Sequence, residues 1–433
     1  MALGLCEVEM DAESAVIEAF RQEWGRVVAA LIGLTGDWDL AEECAQDAFA
    51  KAAKRWPRDG VPQRPGAWLT TVARNRAIDV LRRASREAVW LHEAATVLPG
   101  GDDPGGPRSG GFDGHEADFA DDRLRLIFTC CHPALSMEAR VALTLRTLTG
   151  MSTAQIARAF MTSEPTMAKR LVRAKHKIGE AKIPYRVPPA HLLPERLGGV
   201  LAVIYLLFNE GYSAGAGTDP ARRSLCSQAL DLARALSELM PEQPEALGLL
   251  ALVCFQDARR DARLDADGEL VRLEDQDRSR WDRQLIDEGA VVLAAALRLG
   301  RPGPYQVQAA IAACHATAAS AADTDWLRIA HLYQRLGQMT PSPVVALNRA
   351  VAVAMADGPA VALAQVEELA AAGVLSGYYL LHATRGDLLM RLQRPAEAAE
   401  CFRTALRLAE PGAATDAERR FLARRLAESG ESA

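Results

Sequence analysis

Runs of β-branched residues bounded by turn formers are scarce throughout this sequence, and no strand pattern competes with the helical one. Alanine and leucine are abundant instead, and aromatics make up only 6% of the chain. Such a composition favours the helix, because alanine and leucine sacrifice little side-chain freedom there. A nearly all-α fold is expected. With 433 residues the chain outgrows a single hydrophobic core, so two or three domains are expected as well.

The domains are set by where helices cannot continue. The stretch VLPGGDDPGGPRSGGFDGHEAD is rich in glycine, proline and aspartate, with too little apolar surface to offset chain entropy. It reads as a flexible linker over 96–118. The stretch YRVPPAHLLPE interrupts any helix with Pro184, Pro188, Pro189 and Pro194, and composition changes with it. All six lysines lie between Lys51 and Lys182, and arginine alone supplies the strong positive charge beyond. Helical blocks at 12–95 and 119–184, and a long helical block at 190–428, are therefore expected.

Within the long block, ALNRAVAVAMADGPAVALAQVEEL superimposes on LLHATRGDLLMRLQRPAEAAECFRTALRLAEP at an offset of 36 residues, placing Ala350 on Gly386, Ala362 on Ala398, Val366 on Phe402 and Leu369 on Ala405. The offset lies near the tetratricopeptide period of 34, and small residues stand where two helices of a hairpin must approach closely. EALGLLALVCFQDARRDAR and RQLIDEGAVVLAAALRLG are helical and pair-like but irregularly spaced. A degenerate array of helical repeats is expected.

Net charge is −6, yet residues 143–187 hold nine lysines and arginines against two glutamates. That segment reads as helix, then helix-turn-helix. Ser136 and Gly150 bracket a helix, Ser152 and Gln155 have capping-box spacing, and Ile156, Ala157 and Phe160 form a buried face. Ser163 caps a third helix with Pro165 in its first turn. There Met167, Leu171, Ala174 and Ile178 fall toward a core, leaving Thr166, Lys169, Arg170, Arg173 and Lys177 on the other side. Lysine and arginine on a helix face can neutralise phosphates and bond guanine edges in a major groove.

A second basic segment, PGAWLTTVARNRAIDVLRRASR, sets Arg74, Arg76, Arg82, Arg83 and Arg86 against one acid, Asp79. Its apolar and basic residues interleave as in surfaces that hold unpaired bases, although Trp68, between Ala67 and Leu69, reads as core.

The runs DWDLAEECAQDAF and RPGAWLTTVARNRAIDVLRR resemble region 2 of the extracytoplasmic-function (ECF) sigma factors of the sigma-70 family, and GMSTAQIARAFMTSEPTMAKRLVRAKHKI resembles their region 4. CCHPALS, YLLFNEGYSA, DQDRSRWDRQLI, GPYQVQAAIAACHA and PSPVVALNRAVA are similar to the subgroup with a tetratricopeptide-like C-terminal extension. The resemblance implies a factor that binds core RNA polymerase, through its β′ coiled coil and β flap, and directs it to promoter DNA. It implies that Asp39, Glu42, Glu43, Gln46, Asp47 and Phe49 meet the polymerase, that Arg74, Asn75, Arg76, Asp79, Arg82 and Arg83 engage the −10 element, and that Thr166, Lys169, Arg170, Arg173 and Lys177 read the −35 element. The extension is expected to regulate, through an intramolecular contact or a protein partner. The alternative is a repeat scaffold whose helix-turn-helix binds an operator without polymerase.

Other chemistries find no footing. There is no P-loop, GxGxxG, GxSxG or HExxH pattern, so neither catalysis nor a cofactor is expected. Cys130-Cys131-His132 suggests zinc, but adjacent cysteines do not easily reach one tetrahedral ion and no second ligand pair follows, so no metal is expected; redox sensing by the pair stays open. Asn209-Glu210-Gly211-Tyr212 reads as a helix end capped at Gly211, and the carboxylates of Asp265 to Asp277 as an acidic loop. The first residues, MALGLCEVEMDAES, lack a signal peptide's basic and apolar regions, and no stretch approaches the roughly 20 apolar residues of a membrane span, so a cytoplasmic chain without membrane contact is expected.

Overall fold

A computed structural model describes residues 12–95, 116–159, 162–189, 191–212, 220–410 and 414–430. Among these residues there are eighteen α-helices and one isolated bridge, Leu264 to Leu270, but no strand. The contacts divide the chain into two compact units, residues 1–203 and 204–433. Most of the expected linker, 96–115, lies outside the described residues, as do Phe160 and Met161.

In the first unit, α1 (Ala12–Thr35), α2 (Trp38–Asp59) and α3 (Pro65–Ala95) pack together. Asp37 starts α2 by accepting the backbone N–H groups of Asp39 and Leu40 at 2.9 and 3.1 Å. The core of these helices is aromatic at one end, where Phe20, Trp24 and Phe49 meet with ring centroids 5.0 to 5.9 Å apart. Trp24 and Phe49 are buried, and each such side chain contributes about 1.5–3 kcal/mol through removal from water.

The second half of this unit comprises α4 (Glu116–Cys130), α5 (Met137–Thr149), α6 (Thr153–Ala159) and α7 (Glu164–Glu180). Its caps follow the sequence: Ser136 accepts from Ala139, Gly150 closes α5 at φ 68°, and Ser163 accepts from Thr166. Ser152 and Gln155 bond reciprocally at 2.8 and 3.2 Å. Helix α1 carries α4 and α5 directly on its surface. The approach is tight at Gly25, where a Cβ would run into the Leu148 carbonyl. Beyond α7, the Tyr185 hydroxyl donates to Ala29 O at 2.8 Å and Asp122 O at 3.3 Å, tying the proline-rich stretch back to α1 and α4.

The division falls inside α8 (Leu193–Tyr212). The expected cap at Gly211 is not formed, for α8 continues through it to Tyr212. Tyr212 is held by contacts on and beyond its own helix: it stacks on Phe208 at 5.1 Å, Arg263 lies 3.9 Å over its ring, and Arg263 donates to the Tyr212 carbonyl.

Ten further helices build the second unit: α9 (Pro220–Leu239), α10 (Pro244–Asp257), α11 (Arg283–Arg298), α12 (Pro304–Ala316), α13 (Trp326–Met339), α14 (Pro343–Ala356), α15 (Pro359–Ala371), α16 (Tyr379–Arg391), α17 (Pro395–Leu408) and α18 (Asp416–Glu428). Six begin at proline, whose fixed φ and missing N–H suit a first turn. Consecutive helices contact each other along this series from α9 to α18. The residues aligned at 36-residue offset occupy matching places: Ala350, Ala362 and Val366 are buried between α14 and α15, and Gly386, Ala398 and Phe402 between α16 and α17. Between α10 and α11, the chain from Asp265 to Asp277 forms an irregular loop whose Glu269 is held by Arg420 and Arg424, and Glu274 by Arg272 and Arg391.

Candidate nucleic-acid interface

Helix α7 is amphipathic in the way its spacing demands. Met167, Leu171, Ala174 and Ile178 are buried, while Thr166, Lys169, Arg173 and Lys177 are exposed and Arg170 is half-buried, paired to Glu138 at 3.0 Å. All five of the latter line one concave groove of about 500 Å³, closed on its other side by Ala134, Leu135, Ser136 and Ala139 from the start of α5. No carboxylate lines it. A capped helix presenting four cations beside a groove can accept a phosphate backbone and reach base edges.

On α3, Asn75, Asp79, Arg82 and Arg83 are exposed and Arg74 is half-buried. Arg76 is committed elsewhere: its Nε donates to Asp47 at 2.9 Å, and Glu43 lies at 4.0 Å. The hydrogen bond it donates to Asp47, and that residue's charge, hold the Arg76 guanidinium above its ordinary pKa. Trp68 meets Trp56 edge to face at 5.7 Å, in the packing role its neighbours suggest.

The acidic helix α2 is more divided than a charged face implies. Asp39, Glu43 and Gln46 are exposed, Asp47 is half-buried, and Glu42 and Phe49 are buried. Glu42 has both oxygens engaged. One accepts from Lys175 Nζ at 2.7 Å, and the other from Arg146 Nε at 3.1 Å and Nη2 at 3.0 Å. Lys175 also reaches Asp39 at 2.9 Å, and Arg146 donates to the Met151 carbonyl at 3.1 Å. Region-2-like and region-4-like residues are thus joined by one ion network. Lys175 and Arg146 were not singled out by the sequence reading. The available signal was that Lys175 sits four positions after Leu171 and three before Ile178, which lays its stem along the buried flank of α7.

Cys130 and Cys131 are both buried. Burial pushes the Cys130 thiol up to about 12 and raises Cys131 as well, which disfavours the thiolate at both positions. Cys130 Sγ lies 3.7 Å from Thr147 Oγ1, and His132 Nδ1 accepts from the Ala134 backbone at 3.1 Å. Among the described residues no group of three histidine, cysteine, aspartate or glutamate side chains is placed to hold a metal ion. No helix among them is long and apolar enough to cross a membrane.

Comparison with known families places residues 19–87 on the family described as Sigma-70 region 2 and residues 125–178 on that described as Sigma-70, region 4. Residues 196–297, from α8 to α11, match a family of unknown function (DUF6596). The chain is 47% identical over 384 residues to an uncharacterized protein of Rhizobium meliloti, covering 89% of both. It is 34% identical over 162 residues to the ECF RNA polymerase sigma factor SigL of Mycobacterium tuberculosis, covering 37% of this chain and 85% of that protein.

Proposed function

Because the chain belongs to the ECF sigma factors of the sigma-70 family, we propose that α7 reads the −35 element, that α3 engages the −10 element and that α2 docks on the polymerase β′ coiled coil. The observation that carries the reading is the α7 groove, lined by Thr166, Lys169, Arg170, Arg173 and Lys177, where Lys169, Arg173 and Lys177 are exposed and Arg170 is paired to Glu138. Arg74, Asn75, Asp79, Arg82 and Arg83 take the −10 role from an accessible stretch of α3, with Arg76 as a member that must first leave Asp47. Exposed Asp39, Glu43 and Gln46, with Asp47, suit a basic partner surface, and Glu42 and Phe49 support that helix from beneath. The second half of the first unit takes the β flap. In this reading the functional parts are 12–95, 119–184 and a tetratricopeptide-like regulatory extension at 190–428.

Transcription in vitro with core polymerase tests the reading. Promoter-dependent transcripts are expected, and Arg173→Ala is expected to weaken promoter binding by about 1–3 kcal/mol if it contacts a base, or to reduce the salt slope by about one if it contacts a phosphate. Absence of both transcripts and binding to core enzyme overturns it.

A further inference from the structure

Helices α10, α12, α13 and α14 of the second unit, with Tyr205 from the later part of α8, surround a cavity of about 420 Å³, a size typical of small-molecule sites. Its apolar lining includes Leu252, Phe255, Ile311 and Leu336, all buried. Its charge is one-sided. Arg259 lines the cavity and no carboxylate does, and Arg259 has no ion pair among the described residues. The guanidinium donates to the Gln256 side-chain oxygen, a neutral partner that leaves its charge uncompensated. The field of this group reaches its neighbours: burial, then Arg259 and Arg278, depress His315 to about 4, so His315 is neutral at pH 7 and adds no second cation. Polar donors complete the wall. Tyr333 and Asn348 line the cavity without a hydrogen-bond partner among the described residues, while Tyr205 spends its hydroxyl on Gln308 at 3.5 Å.

An apolar floor beside a single uncompensated guanidinium selects among anions. A bare phosphate would lose its hydration against leucine and phenylalanine with one cation to replace it. A carboxylate matches the fork of one arginine with two parallel hydrogen bonds, and a hydrocarbon body attached to it fills the remainder. We infer that this cavity in the C-terminal unit binds a small organic monoanion, its carboxylate on Arg259 and its apolar body over Phe255 and Ile311. The extension then carries an effector site of its own in addition to the regulatory role proposed above, on which the inference does not depend.

Calorimetric titration of the full chain, without polymerase or DNA, reads this directly. Phenylacetate and octanoate, an aromatic and an aliphatic monoanion, are compared with phenylacetamide, octanamide and inorganic phosphate. At least one carboxylate is expected to bind with a Kd of roughly 1 mM or tighter, its amide and phosphate at least about tenfold more weakly. Arg259→Met is expected to weaken the carboxylate at least about tenfold while leaving the amide unchanged. Ala312→Trp, which fills the cavity from α12, is expected to abolish binding, with thermal melts verifying that both variants fold. Binding by neither carboxylate, equal binding of acid and amide, or full affinity in Arg259→Met overturns the inference. So does undiminished binding in Ala312→Trp.

Discussion

Both oxygens of Glu42 are taken, and its side chain is only 9% exposed, so its charge is satisfied by Lys175 and Arg146 and by little else. Glu42→Gln keeps the shape and removes the charge, leaving Lys175 with Asp39 and Arg146 with the Met151 carbonyl. A cost of about 2–4 kcal/mol is expected, since breaking a buried pair strands its partner. Asp39→Asn, on a side chain 87% exposed, is expected to cost under about 1 kcal/mol. Urea unfolding of the two variants checks the order, and equal effects would refute it. This residue was legible as an acid beside Phe49, but its partners were not. Ser136, Ser152 and Ser163 could be read as caps because each bonds within three positions, whereas Lys175 lies 133 positions from Glu42 and nothing local marks the pair.

Individual helices were legible where a hard rule governs them. The 36-residue offset marks part of the ladder of the second unit and sets Gly386 where two helices approach closely, whereas the prolines that start six of its helices carry no such mark in the repeat. A Cβ on Gly386 would come within 2.8 Å of the Phe402 ring. Gly386→Ala is therefore expected to destabilise by about 1–3 kcal/mol, although alanine is the better helix former by roughly 1 kcal/mol. Gly337 of α13 has only Val345 nearby, at 3.8 Å, and Gly337→Ala is expected to stabilise by up to about 1 kcal/mol. Thermal denaturation gives the two signs, and the same sign for both would refute the account. The passage of α8 through Gly211 was illegible because its contacts are not local. Gly211 resembles a stop signal, but α8 runs through it to Tyr212, whose carbonyl accepts from Arg263, 51 positions away.

For the whole chain, Pro184, Pro188 and Pro189 lie between α7 and α8 and Pro194 in the first turn of α8, while the two compact units divide between Val203 and Ile204, inside that helix. A change of partner in mid-helix leaves no mark in composition, since both halves must be equally helical. It decides where to cut. Truncation near residue 187 would strip α8 from the first unit, where Gly199 approaches Arg140 and Cys131. Truncation after Tyr212 keeps α8 whole. If the extension regulates, this shorter chain transcribes measurably more or less than the full one with core polymerase, the direction giving inhibition or requirement; equal transcription refutes regulation.

The network at Glu42 has a thermodynamic corollary. In the proposed role, a polymerase that draws the exposed Asp39 toward its own cations loosens its hold on Lys175, and so on α7. Two binding events that compete with one internal bond are reciprocally coupled. Whatever factor polymerase adds to promoter affinity, promoter DNA must return to polymerase affinity.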